Sequence, residues 1–186
     1  MRLVIHCGLH KTGTTALQAA LVKMAPSLAE RGVSFPSFEP GKPSAHHWLA
    51  KAIKGPHIYS KSRTNISGLI EAARATDPHT VCLSSEDFET HLRHPRAIAR
   101  LMDIAGELKA NVVFLIYVRN QVEYLESLYL QFLRMGLGKD ASEVVEEVLE
   151  TGQFQWRRWV IHFDYAAAIR DLAKTESEIV VQNYHA

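Results

Sequence analysis

The sequence predicts an α/β fold, a three-layer sandwich of helices around a mainly parallel central sheet, and three observations carry that prediction. Short β-rich runs alternate with helix-patterned segments along the whole chain. The stretch "NVVFLIYVR" (111–119) is an almost unbroken run of β-formers, as expected of a strand buried on both faces. The chain also opens with a strand, a glycine-rich turn and a helix start, in "RLVIHC" followed by "GLHKTGTT".

Taken in order, "RLVIHC" reads as a buried strand ended by Gly8. Leu17, Ala20, Leu21, Met24 and Leu28 then recur at helical spacing as far as Gly32, and Pro26 is expected to kink or divide that helix. "GVSFPSF" suggests a short strand, and "EPGKPSAHH" is the most loop-like stretch in the chain. Residues 48–79 have the weakest pattern, with "ISGLIEAARA" the helical part. "TVCLSSEDF" reads as a second strand with a polar end, and "HPRAIARLMDIAGEL" as a helix with Pro95 in its first turn. Beyond 111–119 a helix starts at Asn120, with Glu123 completing a capping-box-like pair. Its expected apolar face is Val122, Leu125, Leu128, Tyr129 and Phe132. "DASEVVEEVLETG" is a capped helix stopped by Gly152. A Trp-rich stretch leads to a helix in "DYAAAIRDLAKT" and a last strand in "EIVVQNY". There are no repeats or evident linkers, so the 186 residues are expected to form one domain with a sizeable core.

Composition narrows the function. With 47% apolar and 22% charged residues and a net charge of +1, the chain is not a general binder of nucleic acid, and any anion site must be built locally. Cys7 and Cys82 lie far apart in apolar runs, where buried free thiols suit a reducing compartment. No segment approaches the roughly eighteen apolar residues of a membrane span, and the opening run is too short for a signal peptide. The expectation is a cytoplasmic protein with no membrane partner.

The loop "GLHKTGTT" (8–15) carries the chemistry. A nucleotide P-loop, G-x-x-x-x-G-K-[ST], places its lysine after the second glycine, whereas Lys11 precedes Gly13. Free N–H groups around Gly13, Thr14 and Thr15 can point at phosphate oxygens. The hydroxyls of Thr12, Thr14 and Thr15 add donors, Lys11 supplies charge, and His10 can reach a cofactor or acceptor. The alternative is a polar turn with a threonine cap.

The loop resembles the 5′-phosphosulfate loop, G-x-x-K-[ST]-G-T-T, of the sulfotransferases that use 3′-phosphoadenosine 5′-phosphosulfate (PAPS). A second signature of that family, an Arg ending a central strand with a Ser eight residues later, matches Arg119 and Ser127 in "VVFLIYVRNQVEYLESLY". The resemblance implies the strand order of P-loop nucleotide kinases and PAPS as co-substrate. It also implies that Arg119 and Ser127 hold the 3′-phosphate, that Lys11 neutralises the leaving phosphate oxygen, and that no metal is needed.

Carbohydrate sulfotransferases often use a glutamate base, which points to Glu86. In "LSSEDF", Ser84, Ser85, Glu86 and Asp87 stand at the carboxyl end of a predicted parallel strand, where open α/β sheets bind ligands. Glu86 or Asp87 could equally be a helix-start carboxylate. His46 and His47, read as loop residues, are the next candidates for the base or for substrate contacts. The acceptor is expected to be a hydroxyl or amine of a carbohydrate, lipid or small molecule. Family members continue past the strand matching "EIVVQNY" with a loop and helices, so a single domain without that segment is expected. Two further classes compete: an ATP–Mg²⁺ kinase of small molecules, and a module that binds 3′-phosphoadenosine 5′-phosphate (PAP) without turnover.

Overall fold

The computed structural model describes residues 1–36, 45–54, 60–157 and 159–185, without the side chains of 60–65. Most of the loop-like stretch 39–47 lies outside the described residues. The fold is α/β. Five parallel strands, β1 (Arg2–Gly8), β2 (Val33–Ser34), β3 (Thr80–Ser84), β4 (Asn111–Val118) and β7 (Glu178–Asn183), form a central sheet in the order β2-β3-β1-β4-β7. β1 lies at its centre, with Ile5 beside Leu83 of β3 on one side and Phe114 of β4 on the other. Because the strands run parallel, their carboxyl ends gather at one edge, and the loop after Gly8 emerges there between two neighbours.

Helices flank this sheet: α1 (Thr14–Glu30), α2 (His47–Lys54), α3 (Ser60–Arg74), α4 (Pro95–Leu108), α5 (Gln121–Arg134), α6 (Ala141–Thr151) and α7 (Tyr165–Leu172). Leu3 and Ile5 of β1 and Phe114 of β4 share one buried cluster with Leu49, Leu101 and Phe88. A second cluster forms around Tyr124, Leu128 and Phe132 of α5, joined by Leu9 of the loop and by Phe154 and Ile161. Phe154 and Ile161 face each other across an antiparallel hairpin, β5 (Gln153–Trp156) with β6 (Trp159–His162). The Trp-rich stretch is therefore a hairpin, whose rings fill the second core: Phe132 lies 5.7 Å from Phe154 and 5.1 Å from Trp156, ring centre to ring centre.

Several local expectations hold. Pro95 takes the first turn of α4, Asp140 and Glu143 form a reciprocal capping box on α6, and Gly152 ends α6 with a left-handed backbone. Others need correction. α1 is one helix that carries the exposed Pro26 instead of dividing there, and its fully buried residues are Thr14 and Gln18, not its leucines. "TVCLSSEDF" is a strand only to Ser84; the Ser85 hydroxyl then caps a 3-10 helix, Glu86–His91. On α5 the buried face is Tyr124, Leu128 and Phe132, while Val122 is 76% exposed. Asn120 caps the amides of Val122 and Glu123, but the Glu123 carboxylate turns to Arg119 rather than back to the cap.

Phe132→Ala would open a cavity where α5 meets the hairpin. Such a truncation costs about 3–5 kcal/mol. Urea unfolding should show a loss in that range, and a loss below about 1 kcal/mol would mean that the second core does not support the fold.

Candidate functional site

The glycine-rich loop is shaped by contacts that its sequence only partly announces. At Gly8 a Cβ would fall 2.3 Å from the Thr14 methyl, so no side chain fits where the chain turns from β1 toward α1. The Thr12 hydroxyl donates to the Leu9 carbonyl at 2.6 Å, which closes the loop on itself. Thr12 is thus a loop-shaping residue whose proton is already committed. Lys11 and Gly13 both adopt left-handed backbone angles. Gly13 precedes the first turn of α1 without any side-chain cap. The amides of Thr14 and Thr15 have no carbonyl within the helix to accept them, which makes this end of α1 suited to an anion. Thr14 is buried, whereas Lys11 and Thr15 are exposed; Lys11 has no ion pair among the described residues.

The structure brings Arg119, the first residue of the second predicted signature, to this loop. Arg119, just past β4, donates from Nη1 to the Lys11 carbonyl at 3.2 Å and from Nε to Glu123 at 3.2 Å. Its guanidinium stands 5.6 Å from the centre of the Tyr184 ring, which also lies against Gly13. His185 pairs with the same Glu123 carboxylate at 2.7 Å. Its hydrogen bonds from His185 and Arg119 hold the Glu123 carboxyl below the usual range. Ser127 lies two turns into α5 and is half-buried.

On the other side of the loop lies a cavity of about 640 Å³, bounded by α2, the 3-10 helix, α5 and β6. His10 links loop and cavity. Its backbone N–H donates to the buried Glu89 carboxylate at 3.0 Å, and its ring meets Trp159 edge-on at 5.2 Å between centres. His10 Nε2 is buried and has no hydrogen-bond partner among the described residues. Tyr124 also donates its hydroxyl to Glu89, at 2.7 Å. Burial pushes the Glu89 carboxyl above the usual range.

Glu86, Asp87 and His47 converge on the same cavity. The Gln18 amide donates to Glu86 at 3.3 Å and to the Ser84 hydroxyl at 3.2 Å, leaving the proton of Ser84 for His6 Nδ1 at 2.8 Å. His47 is the first residue of α2, not a loop residue. Its Nδ1 lies 2.9 Å from the Ser85 hydroxyl and 3.3 Å from Asp87, and its Nε2 lies 3.8 Å from Glu86. The hydrogen bond to Asp87 raises the His47 pKa above its ordinary value. Burial would raise Asp87, but the bond from His47 prevails and holds it low. An imidazole held at Nδ1 by a carboxylate, with Nε2 facing a cavity, is an arrangement suited to moving protons.

His46 has a different place. Its Nδ1 accepts the Ser84 N–H at 3.1 Å, which leaves Nε2 to donate to the Pro36 carbonyl at 2.8 Å. Both nitrogens are engaged, so His46 is a buried brace between β3 and the segment after β2. Sequence reasoning missed Lys51, Lys54, Gln131, Trp159 and the buried Glu89. The spacing of His47, Lys51 and Lys54 in "HHWLAKAIK" puts them on one helix face and was a usable signal.

Cys7 and Cys82 are free thiols, and burial pushes the Cys82 thiol up to about 12. Among the described residues no helix is long and apolar enough to cross a membrane. Among the same residues, no group of three or more His, Cys, Asp and Glu side chains is placed to hold a metal ion. Neither protein-family models nor curated proteins give a match to this chain.

Burial sets a pH dependence. His6 is pushed down to about 4, and His46 and His91 are lowered by the same cause. A histidine depressed in the native state takes up protons first in the unfolded chain, so stability falls as pH drops below about 6.5. Each such group contributes a slope of up to about 1.4 kcal/mol per pH unit. For His6 the window extends down to about pH 4. Denaturation midpoints between pH 7 and 4 should show the decline, and His6→Asn, which keeps a partner for Ser84, should make it shallower. A flat profile would mean that these imidazoles are not held neutral.

Proposed function

We propose that the protein is a sulfotransferase that moves the sulfuryl group of PAPS to a hydroxyl or amine of an acceptor, with an α/β fold of the P-loop nucleotide-kinase kind. The observation that carries this is the hydrogen bond from Arg119 to the Lys11 carbonyl. It joins two sequence signatures that lie more than a hundred residues apart, at the carboxyl ends of adjacent strands, where open α/β sheets bind ligands.

The loop's residues fit a phosphate ester: an uncapped helix start, a lysine free of ion pairs among the described residues, and a glycine that admits no side chain. Lys11 offsets the charge that develops on the departing phosphate oxygen, and the amides at the start of α1 hold the other oxygens. Arg119 and Ser127 serve the 3′-phosphate. Glu86, oriented by Gln18, takes the proton of the acceptor as its oxygen bonds to sulfur and the bond from sulfur to the phosphate oxygen breaks. His47, held by Asp87, stands beside Glu86 as a second proton-accepting group. The acceptor occupies the cavity on the His10 side of the loop.

Lys11→Ala should leave the fold intact and lower sulfuryl transfer about a hundredfold or more. Glu86→Gln should reduce turnover while PAP affinity barely moves. A full-rate Glu86→Gln enzyme whose turnover collapses in His47→Asn would transfer the base role to His47.

Ligand binding separates the classes. Arg119 also braces the loop, so Ser127 is the cleaner probe. Ser127→Ala should weaken PAP about tenfold or more, the worth of a hydrogen bond to a charged group, and leave adenosine 5′-phosphosulfate unchanged. Calorimetry should detect PAP without added metal. Binding of ATP–Mg²⁺ but not of PAP would make the protein a kinase, and PAP binding without transfer to any acceptor would make it a binding module.

A further inference from the structure

The cavity beside His10 has two chemically different ends. Glu86 and Asp87 occupy the end nearer the loop and pair there with His47. The other end is marked by Lys54, close enough to His91 and His162 to oppose their protonation. Lys51 lies between the two ends, within electrostatic reach of both His47 and Asp87. Lys51 and Lys54 occupy the last turn of α2, both line the cavity, and neither forms an ion pair among the described residues. His91 donates from Nε2 to the Ala50 carbonyl at 2.6 Å and stays neutral through burial, so it adds no charge to this end. His10 lines the same cavity and is only 9% exposed, and its buried Nε2 has no hydrogen-bond partner among the described residues. A buried nitrogen left unpaired is costly, and in a residue that lines a cavity it marks a place where a ligand's hydrogen bond is missing.

We propose that the acceptor is an anionic polyhydroxy compound, with its carboxylate, phosphate or sulfate seated at Lys51 and Lys54. One of its hydroxyls pairs with His10 Nε2, and another lies at Glu86. This assignment rests on the sulfuryl-transfer reading above for the fate of that last hydroxyl, but not for the binding itself. The lysines attract the anion, and the carboxylates at the opposite end repel it. A bound acceptor is thereby oriented with its charge away from the base.

Titration calorimetry with D-glucuronate, D-glucose 6-phosphate and neutral D-glucose tests the assignment at low salt. The two anions separate a carboxylate from a phosphate requirement. At least one should bind about tenfold or more tightly than glucose, the order expected of a charge-assisted contact. Added salt should narrow the gap. Lys51→Met with Lys54→Met should abolish it while PAP affinity stays unchanged; if the double variant does not fold, Lys51→Gln alone should halve the gap or more. His10→Phe, which keeps the ring against Trp159, should weaken all three sugars alike. Anions that bind no better than glucose, or a preference that survives loss of both lysines, would overturn the proposal. A lysine-dependent preference in a protein that fails to bind PAP would retain the anion seat and remove the sulfuryl-transfer reading.

Discussion

The arrangement of the whole site depends on one buried carboxylate. Glu89 receives the His10 amide from the loop and the Tyr124 hydroxyl from α5. A carboxylate removed from water is tolerated only when donors replace its hydration. Here those donors belong to two other elements, so loop, 3-10 helix and α5 cannot shift independently. The residue next to Glu89, Phe88, belongs to the first core, and Tyr124 belongs to the second. The same group that fixes the backbone beside Lys11 therefore also joins the two cores.

A second polar chain runs on the other side of β1, from His6 through Ser84 and Gln18 to Glu86. It accounts for an oddity of α1, in which a glutamine is buried while leucines of the same helix are only partly covered. Gln18 gives up its hydration because the amide satisfies two oxygens at once. The strand end and the first helix thus hold Glu86 from behind, while His47 and Asp87 face it from α2 and the 3-10 helix. Two networks converge on the carboxyl edge of the sheet, one gripping the loop and the other the candidate base.

Much of the fold was legible because burial leaves periodic traces. The unbroken apolar run of β4 and the glycine that ends β1 announced a parallel sheet, and Pro95 and the Asp140 cap marked helix starts. What stayed hidden depends on contacts between distant residues. Tyr124 is buried and Val122 exposed because the hairpin packs against one flank of α5, and no local pattern shows that hairpin's position. Pro26 lies on the exposed face of α1, where losing one backbone bond is tolerated. Of the candidate residues, Lys11 and Arg119 were proposed from motifs and Glu86 from its place at a strand end, and the structure places all three at the carboxyl edge of the sheet. Glu89 was missed because one more acidic residue in "EDFETHL" looks solvated, and its burial follows only from the tertiary positions of His10 and Tyr124. His46 and His47 look alike in sequence, yet one braces the backbone and its neighbour faces the cavity, a difference made by the first turn of α2.

His10 divides its duties between main chain and side chain. The amide that anchors the loop is common to every residue except proline, whereas the contribution of position 10 to the cavity lining depends on its side chain. Loop position and cavity chemistry are thus independently variable at a single codon. A lineage carrying this scaffold could exchange the side chain, and with it the molecules admitted beside the loop, without disturbing the anchoring of the backbone that carries Lys11. A change in what the cavity admits would then require few compensating changes elsewhere, since the side chain that lines it is not the group that holds the loop in place.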